Sequence, residues 1–174
     1  YFIYPCFIMI TMCGYKFIGR IFFKRNDKIL LIVTLFFMLS TLYWMLKNHP
    51  YQNVYFNILA GKNFNKKYEM DYWGLANHNA LKFIAENENR EIKVAKVGTT
   101  DLFLSRAFLI KDLRKKVTII DNYKNADYII DPYRDWSGKS KDYNKILSND
   151  FDIFYEIKID KIPINTVYKK KIEN

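Results

Sequence analysis

The apolar and polar positions of this chain are distributed in two regimes. Residues 29–46, ILLIVTLFFMLSTLYWML, run for 18 residues without a charge. At about 1.5 Å of rise per residue, a helix of that length matches a bilayer core. Residues 1–15, YFIYPCFIMITMCGY, are also free of charge and predict a second helix of the same kind. Pro5 near its start is tolerable in a membrane helix. Lys16 and Arg20 follow the apolar stretch, the reverse of a signal peptide's order, in which the positive region comes first. Tyr43 and Trp44 lie near the end of the second run, where an interfacial aromatic belt belongs.

Beyond residue 47 the pattern becomes mixed. The stretch 49–64, HPYQNVYFNILAGKNF, has Pro50 at a position suited to helix N1 and predicts a short surface helix. Over 68–89, Leu75, Ala76, Ala80, Leu81, Phe83, Ile84 and Ala85 recur at helical spacing, after the turn Asp71-Tyr72-Trp73-Gly74. Residues 91–98 alternate as a strand. Thr99, Thr100 and Asp101 cap a helix predicted over DLFLSRAFLIKDLR. KVTIID (116–121) and ADYIIDPY (126–133) read as strands, and 134–146 as a loop. Residues 151–160 and 164–171 read as a hairpin around Lys161-Ile162-Pro163. The expected fold class is a membrane α-helical hairpin of two spans, followed by a small α/β extracytoplasmic domain with a mixed sheet. Its expected divisions are 1–47 for the spans, 48–90 for a membrane-proximal helical segment and 91–174 for the α/β domain.

Charge sets the expected orientation. Between the spans, residues 20–28 hold Arg20, Lys24, Arg25 and Lys28 against Asp27. A short basic loop marks the cytoplasmic side, which leaves the tail extracytoplasmic, in a bacterial cytoplasmic membrane. The whole chain has 28 Lys and Arg against 18 Asp and Glu. That balance would fit nucleic acid, but the charge is spread rather than clustered and follows two apolar runs. The expected partner is a lipid bilayer, not nucleic acid. The first residue is Tyr1, so the chain is expected to be a fragment or a processed product.

Chemistry-bearing residues are sparse. His49 and His78 are the only histidines, and Cys6 and Cys13 the only cysteines. No metal-ligand spacing is present, so neither a metal nor a cofactor is expected. Gly98-Thr99-Thr100 after a strand is a weak phosphate signal beside the plainer reading of a capped turn. Asp127, Asp131 and Asp135 read as turn formers. No serine sits in a nucleophile elbow. The segment from His49 to Gly74 is the richest, with aromatic rings beside Asp71. Such rings can stack on sugars, or simply hold the tail at the bilayer surface.

His49-Pro50-Tyr51-Gln52, Val54-Tyr55-Phe56-Asn57 and Asp71-Tyr72-Trp73-Gly74 together resemble the end of a membrane glycosyltransferase. The family is the polytopic superfamily C group, related to dolichyl-phosphate-mannose protein mannosyltransferases and bacterial lipid-linked-sugar transferases. Tyr155-Glu156-Ile157-Lys158 through Val167-Tyr168-Lys169 is similar to that tail's closing hairpin, with Lys161 where a Gly commonly sits. The resemblance implies transfer of a sugar from a polyprenyl-phosphate carrier to an acceptor on the outer face. It implies that the catalytic base belongs to N-terminal spans of the same polypeptide, so no residue here is assigned a catalytic role. The residues it points to for the rim of the substrate site are His49, Tyr51, Asp71, Tyr72 and Trp73, with His49 toward the lipid phosphate. The alternative class is a non-enzymatic, membrane-anchored binding or assembly module.

Overall fold

The fold comes from a computed structural model, which describes residues 3–23, 26–61, 65, 67–98, 101–134, 147 and 149–171. The chain divides into two compact units, Tyr1–His49 and Pro50–Asn174.

The first unit is two helices, α1 (Tyr4–Phe22) and α2 (Asp27–Lys47). Both are long and apolar enough to cross a membrane, and nearly all their large apolar side chains are exposed. Pro5 lies in the first turn of α1, where its missing N–H removes no helical bond. The Asn26 side chain accepts from the Ile29 amide, which caps α2, and Asp27 in the first turn suits the helix dipole. Where the helices meet, a Cβ on Gly19 would lie 3.0 Å from Leu30 Cδ2. Gly19 and Leu30 are the buried residues of their helices.

The second unit is built on a five-stranded mixed sheet in the order β2-β1-β3-β5-β4. The strands are β1 (Ile92–Lys96), β2 (Val117–Ile119), β3 (Tyr128–Asp131), β4 (Phe151–Ile159) and β5 (Ile162–Lys170). β1 pairs in parallel with β2 and β3, whereas β5 runs antiparallel to β3 and β4. The expected mixed sheet is therefore present. α3 (Leu75–Asn87) buries Ala76, Asn77, Ala80, Leu81, Ile84 and Ala85 along one stripe, which packs toward β4 and β5. Ala95, Val97, Ala126, Ile129, Leu147 and Phe151 form a second cluster, with Ile120, Tyr123 and Tyr168 packed against it.

Several expectations need correction. Among the described residues of 49–64, no regular helix forms. They form two single 3-10 turns, Gln52–Val54 and Ile58–Ala60, and Tyr51 and Val54 are buried. Burial of these two side chains fixes a path that a regular helix would not give. Residues from Pro50 onward share one compact unit with the sheet. The single helix predicted after Asp101 is two short ones, α4 (Leu102–Ala107) and α5 (Lys111–Lys116). Asp101 caps the first, as expected, through the Phe103 amide. The break at Ile110, which is extended, turns the chain back so that β2 can pair beside β1. The loop predicted over 134–146 lies outside the described residues except for Arg134, as do Thr99, Thr100 and Asp135.

Candidate functional site

The polar features of the second unit converge at one end of the sheet. β1 and β3 end there, α3 begins there and β5 enters there. In α/β sheets, ligands characteristically bind beyond the carboxyl ends of parallel strands.

Asp71 is the centre of this region, and it is 1% exposed. Its main-chain carbonyl accepts from the Gly74 amide at 2.9 Å, closing the Asp71–Gly74 turn. Gly74 takes φ 65°, a conformation that costs a residue with Cβ, so glycine belongs at the start of α3. The Asp71 carboxylate then caps the helix. Oδ1 accepts from the Leu75 amide at 3.0 Å and Oδ2 from the Ala76 amide at 2.7 Å. Oδ1 also accepts from Asn53 Nδ2 at 3.2 Å, which ties the 3-10 turn at Gln52–Val54 to α3. A negative group at a helix N-terminus is stabilised by the unpaired amides and the dipole.

Tyr72 and Trp73 point the other way. Their rings meet edge to face at 5.1 Å, and Trp73 is 75% exposed. Arg134, three residues past the end of β3 at Asp131, holds this pair from behind. Its guanidinium lies 4.2 Å from the Tyr72 ring centroid, Nη1 donates to the Tyr72 carbonyl at 2.9 Å, and Nε lies 3.5 Å from Glu69 Oε2. Asp131 Oδ1 accepts from the Tyr133 amide, and the Tyr133 and Thr166 hydroxyls lie 2.7 Å apart. Those contacts hold Tyr133 at φ 55° and fix the direction in which Arg134 leaves the strand.

Tyr51 is buried, and its hydroxyl accepts from Asn79 Nδ2. Burial raises the Tyr51 pKa, against the lowering effect of the Asn79 hydrogen bond. Burial likewise raises that of Tyr133. Both hydroxyls therefore stay protonated at neutral pH. Beneath them, Asn165 Nδ2 donates to Asn77 Oδ1 at 2.7 Å and pins α3 to β5. Asn77 Nδ2 and Asn165 Oδ1 have no hydrogen-bond partner among the described residues. Such a pair fixes register at a desolvation cost.

The structure thus gathers Tyr51, Asp71, Tyr72 and Trp73 into one region. His49 is the exposed last residue of the first unit. Asn53, Asn77, Asn79, Glu69 and Arg134 complete the region and were missed by sequence reasoning. The one available signal was Asn77, a polar residue within the otherwise apolar buried stripe of α3. Among the described residues, no group of three His, Cys, Asp or Glu is placed to hold a metal ion. The Asp71 carboxylate accepts three hydrogen bonds, and the exposed surface beside it is aromatic, from Tyr72 and Trp73. No protein-family model matches the chain, and comparison with curated proteins and with solved structures gives no match.

Proposed function

We propose that this chain is the C-terminal part of an integral-membrane glycosyltransferase. The whole enzyme would transfer a sugar from a polyprenyl-phosphate carrier to an acceptor on the outer face of the membrane. In this reading α1 and α2 are spans and residues 50–174 are extracytoplasmic. The spans are supported by two helices apolar on nearly every face and left uncovered in their own unit, for which lipid is the fitting solvent. The observation that carries the reading is the Asp71–Gly74 turn. It presents Trp73 and Tyr72 outward from a rigid, capped base shortly after the second apolar helix. Such an aromatic edge can stack on the apolar face of a sugar.

Transfer measured with the intact protein in native membranes tests this. Trp73→Ala should lower transfer about tenfold, the value of one lost aromatic contact, at unchanged abundance. Unchanged transfer would remove the turn from the substrate rim. A second reading is a non-enzymatic, membrane-anchored binding or assembly module. It is favoured by the Asp71 carboxylate, whose three hydrogen bonds commit it to holding the start of α3 and the Gln52–Val54 turn. The size of the native protein in isolated membranes separates the two readings. A band far above 21.0 kDa with an antibody against residues 90–174 supports the transferase, and a band at that size supports the module.

A further inference from the structure

The stretch 102–110 holds six large apolar residues: Leu102, Phe103, Leu104, Phe108, Leu109 and Ile110. Only Leu102 and Leu109 turn inward. Phe103, Leu104, Phe108 and Ile110 are between 59% and 73% exposed. A single exposed apolar side chain needs no explanation, but four on one short elbow do. The exposure is built in by the fold. Asp101 fixes the start of α4, Arg106 Nε bonds the Val117 carbonyl, and Arg114 Nη1 bonds the Ala107 carbonyl at 3.1 Å. Each contact holds the elbow in the shape that turns these four side chains out.

The next residues are basic. Lys111 and Lys115 are exposed, with Asp112 as the one acid between them. Lys116 is already used, donating to the Ala85 and Glu88 carbonyls at the end of α3. Aromatic and branched apolar side chains beside lysines are the composition of a surface that lies in a bilayer interface. The chain also leaves α2 at Lys47 and enters the folded unit at Pro50, so the unit is tethered within reach of any bilayer α2 spans.

We propose that the α4–α5 elbow is a lipid-docking surface. Phe103, Leu104, Phe108 and Ile110 enter the headgroup and acyl boundary, and Lys111 and Lys115 meet anionic phospholipid headgroups. The proposal rests on the reading of α2 as a span, and the experiment keeps the two apart. In the full chain with Cys6→Ala and Cys13→Ala, single cysteines at Leu39, Phe108 or Asp152 are labelled with an environment-sensitive fluorophore. Each protein is reconstituted into phosphatidylcholine vesicles carrying spin-labelled quencher lipid, with or without phosphatidylglycerol. Phe108 is 73% exposed, so its replacement removes no core contact. Asp152 lies on β4, at the opposite edge of the sheet from β2.

The label at Leu39 is expected to be quenched in both lipids, and the label at Asp152 in neither. The label at Phe108 should be quenched, and more strongly with phosphatidylglycerol. Lys111→Glu and Lys115→Glu should each lower the docked-to-free ratio about fivefold in that lipid. Quenching at Leu39 but not at Phe108 overturns docking and leaves the span. Quenching at neither position overturns both. Protection of Phe108 that rises with protein density and occurs without quenching means that a second copy covers the elbow, which also overturns lipid docking.

Discussion

Asp71 has two carboxylate oxygens and three hydrogen-bond donors. That ratio makes the isosteric substitution informative. Asparagine keeps one oxygen and replaces the other with an amino group, which would face either the Leu75 or the Ala76 amide. A buried N–H left facing a donor costs about 2 kcal/mol. Asp71→Asn should therefore lower unfolding stability by that amount in urea, whereas Trp73→Ala should leave stability within about 0.5 kcal/mol. Asp71 is legible in the sequence as a notable residue but not as a cap, because it precedes the first helical residue by four positions rather than one. Glu88 offers a second residue-scale test. The Tyr128 hydroxyl, and then Lys169 at 2.9 Å, donate to its carboxylate and hold its pKa below the usual carboxylate range. A depressed carboxylate contributes stability above its unfolded pKa, near 4.3, and loses it as pH falls through the folded value. Glu88→Gln should cost about 1.5 kcal/mol at neutral pH, and the gap to the parent should close on acidification below about pH 4.

At the scale of elements, the long apolar helices and the β-branched strands were legible because each is written in contiguous residues. The closing hairpin was legible too, and its turn is tighter than expected. Ile159 pairs with Ile162, so only Asp160 and Lys161 lie between the strands. Both have positive φ, at 47° and 71°, which is the mark of a type I′ turn. Lysine carries a Cβ penalty in that conformation. Lys161→Gly should raise stability by about 0.5–1 kcal/mol in chemical denaturation, even though it removes a side chain. The two 3-10 turns and the bend at Ile110 were not legible. Contacts such as those of Tyr51 and Arg106 decide them, and these reach across 28 and 11 residues. The α1–α2 contact is a further element-scale case. The far end of Leu30 can move a few tenths of an ångström for Gly19→Ala, but not enough for Gly19→Leu. The larger change should destabilise the helix pair by about 1–3 kcal/mol, read by thermal unfolding in detergent. Leu30→Ala in the same chain should recover about 1 kcal/mol of that loss.

At the scale of the whole molecule, strand order was the part no local pattern could supply. β1 sits between β2 and β3, and β5 between β3 and β4, so most neighbours in the sheet are distant in sequence. The boundary between the two units, at His49 and Pro50, falls three residues after the uncharged run ends at Leu46. If α1 and α2 are spans, as proposed, orientation across the membrane is the remaining whole-molecule property, and the charge pattern predicts it. Four basic residues and one acid lie within 20–28, a segment short enough for its lysines and arginines to resist translocation. The tail carries 23 Lys and Arg against 17 Asp and Glu, but a long folded tail crosses largely regardless of charge. In intact cells, with Cys6→Ala and Cys13→Ala, a membrane-impermeant thiol reagent should modify Asp152→Cys at once and Asn26→Cys only after lysis. Neutralising Arg20, Lys24, Arg25 and Lys28 together should leave a mixture of both patterns, because that loop then no longer favours one side. The reverse pattern in the parent would put residues 50–174 in the cytoplasm. A polyprenyl-linked sugar presented at the outer face would then be out of reach of Trp73, and the transferase reading would fall with the topology.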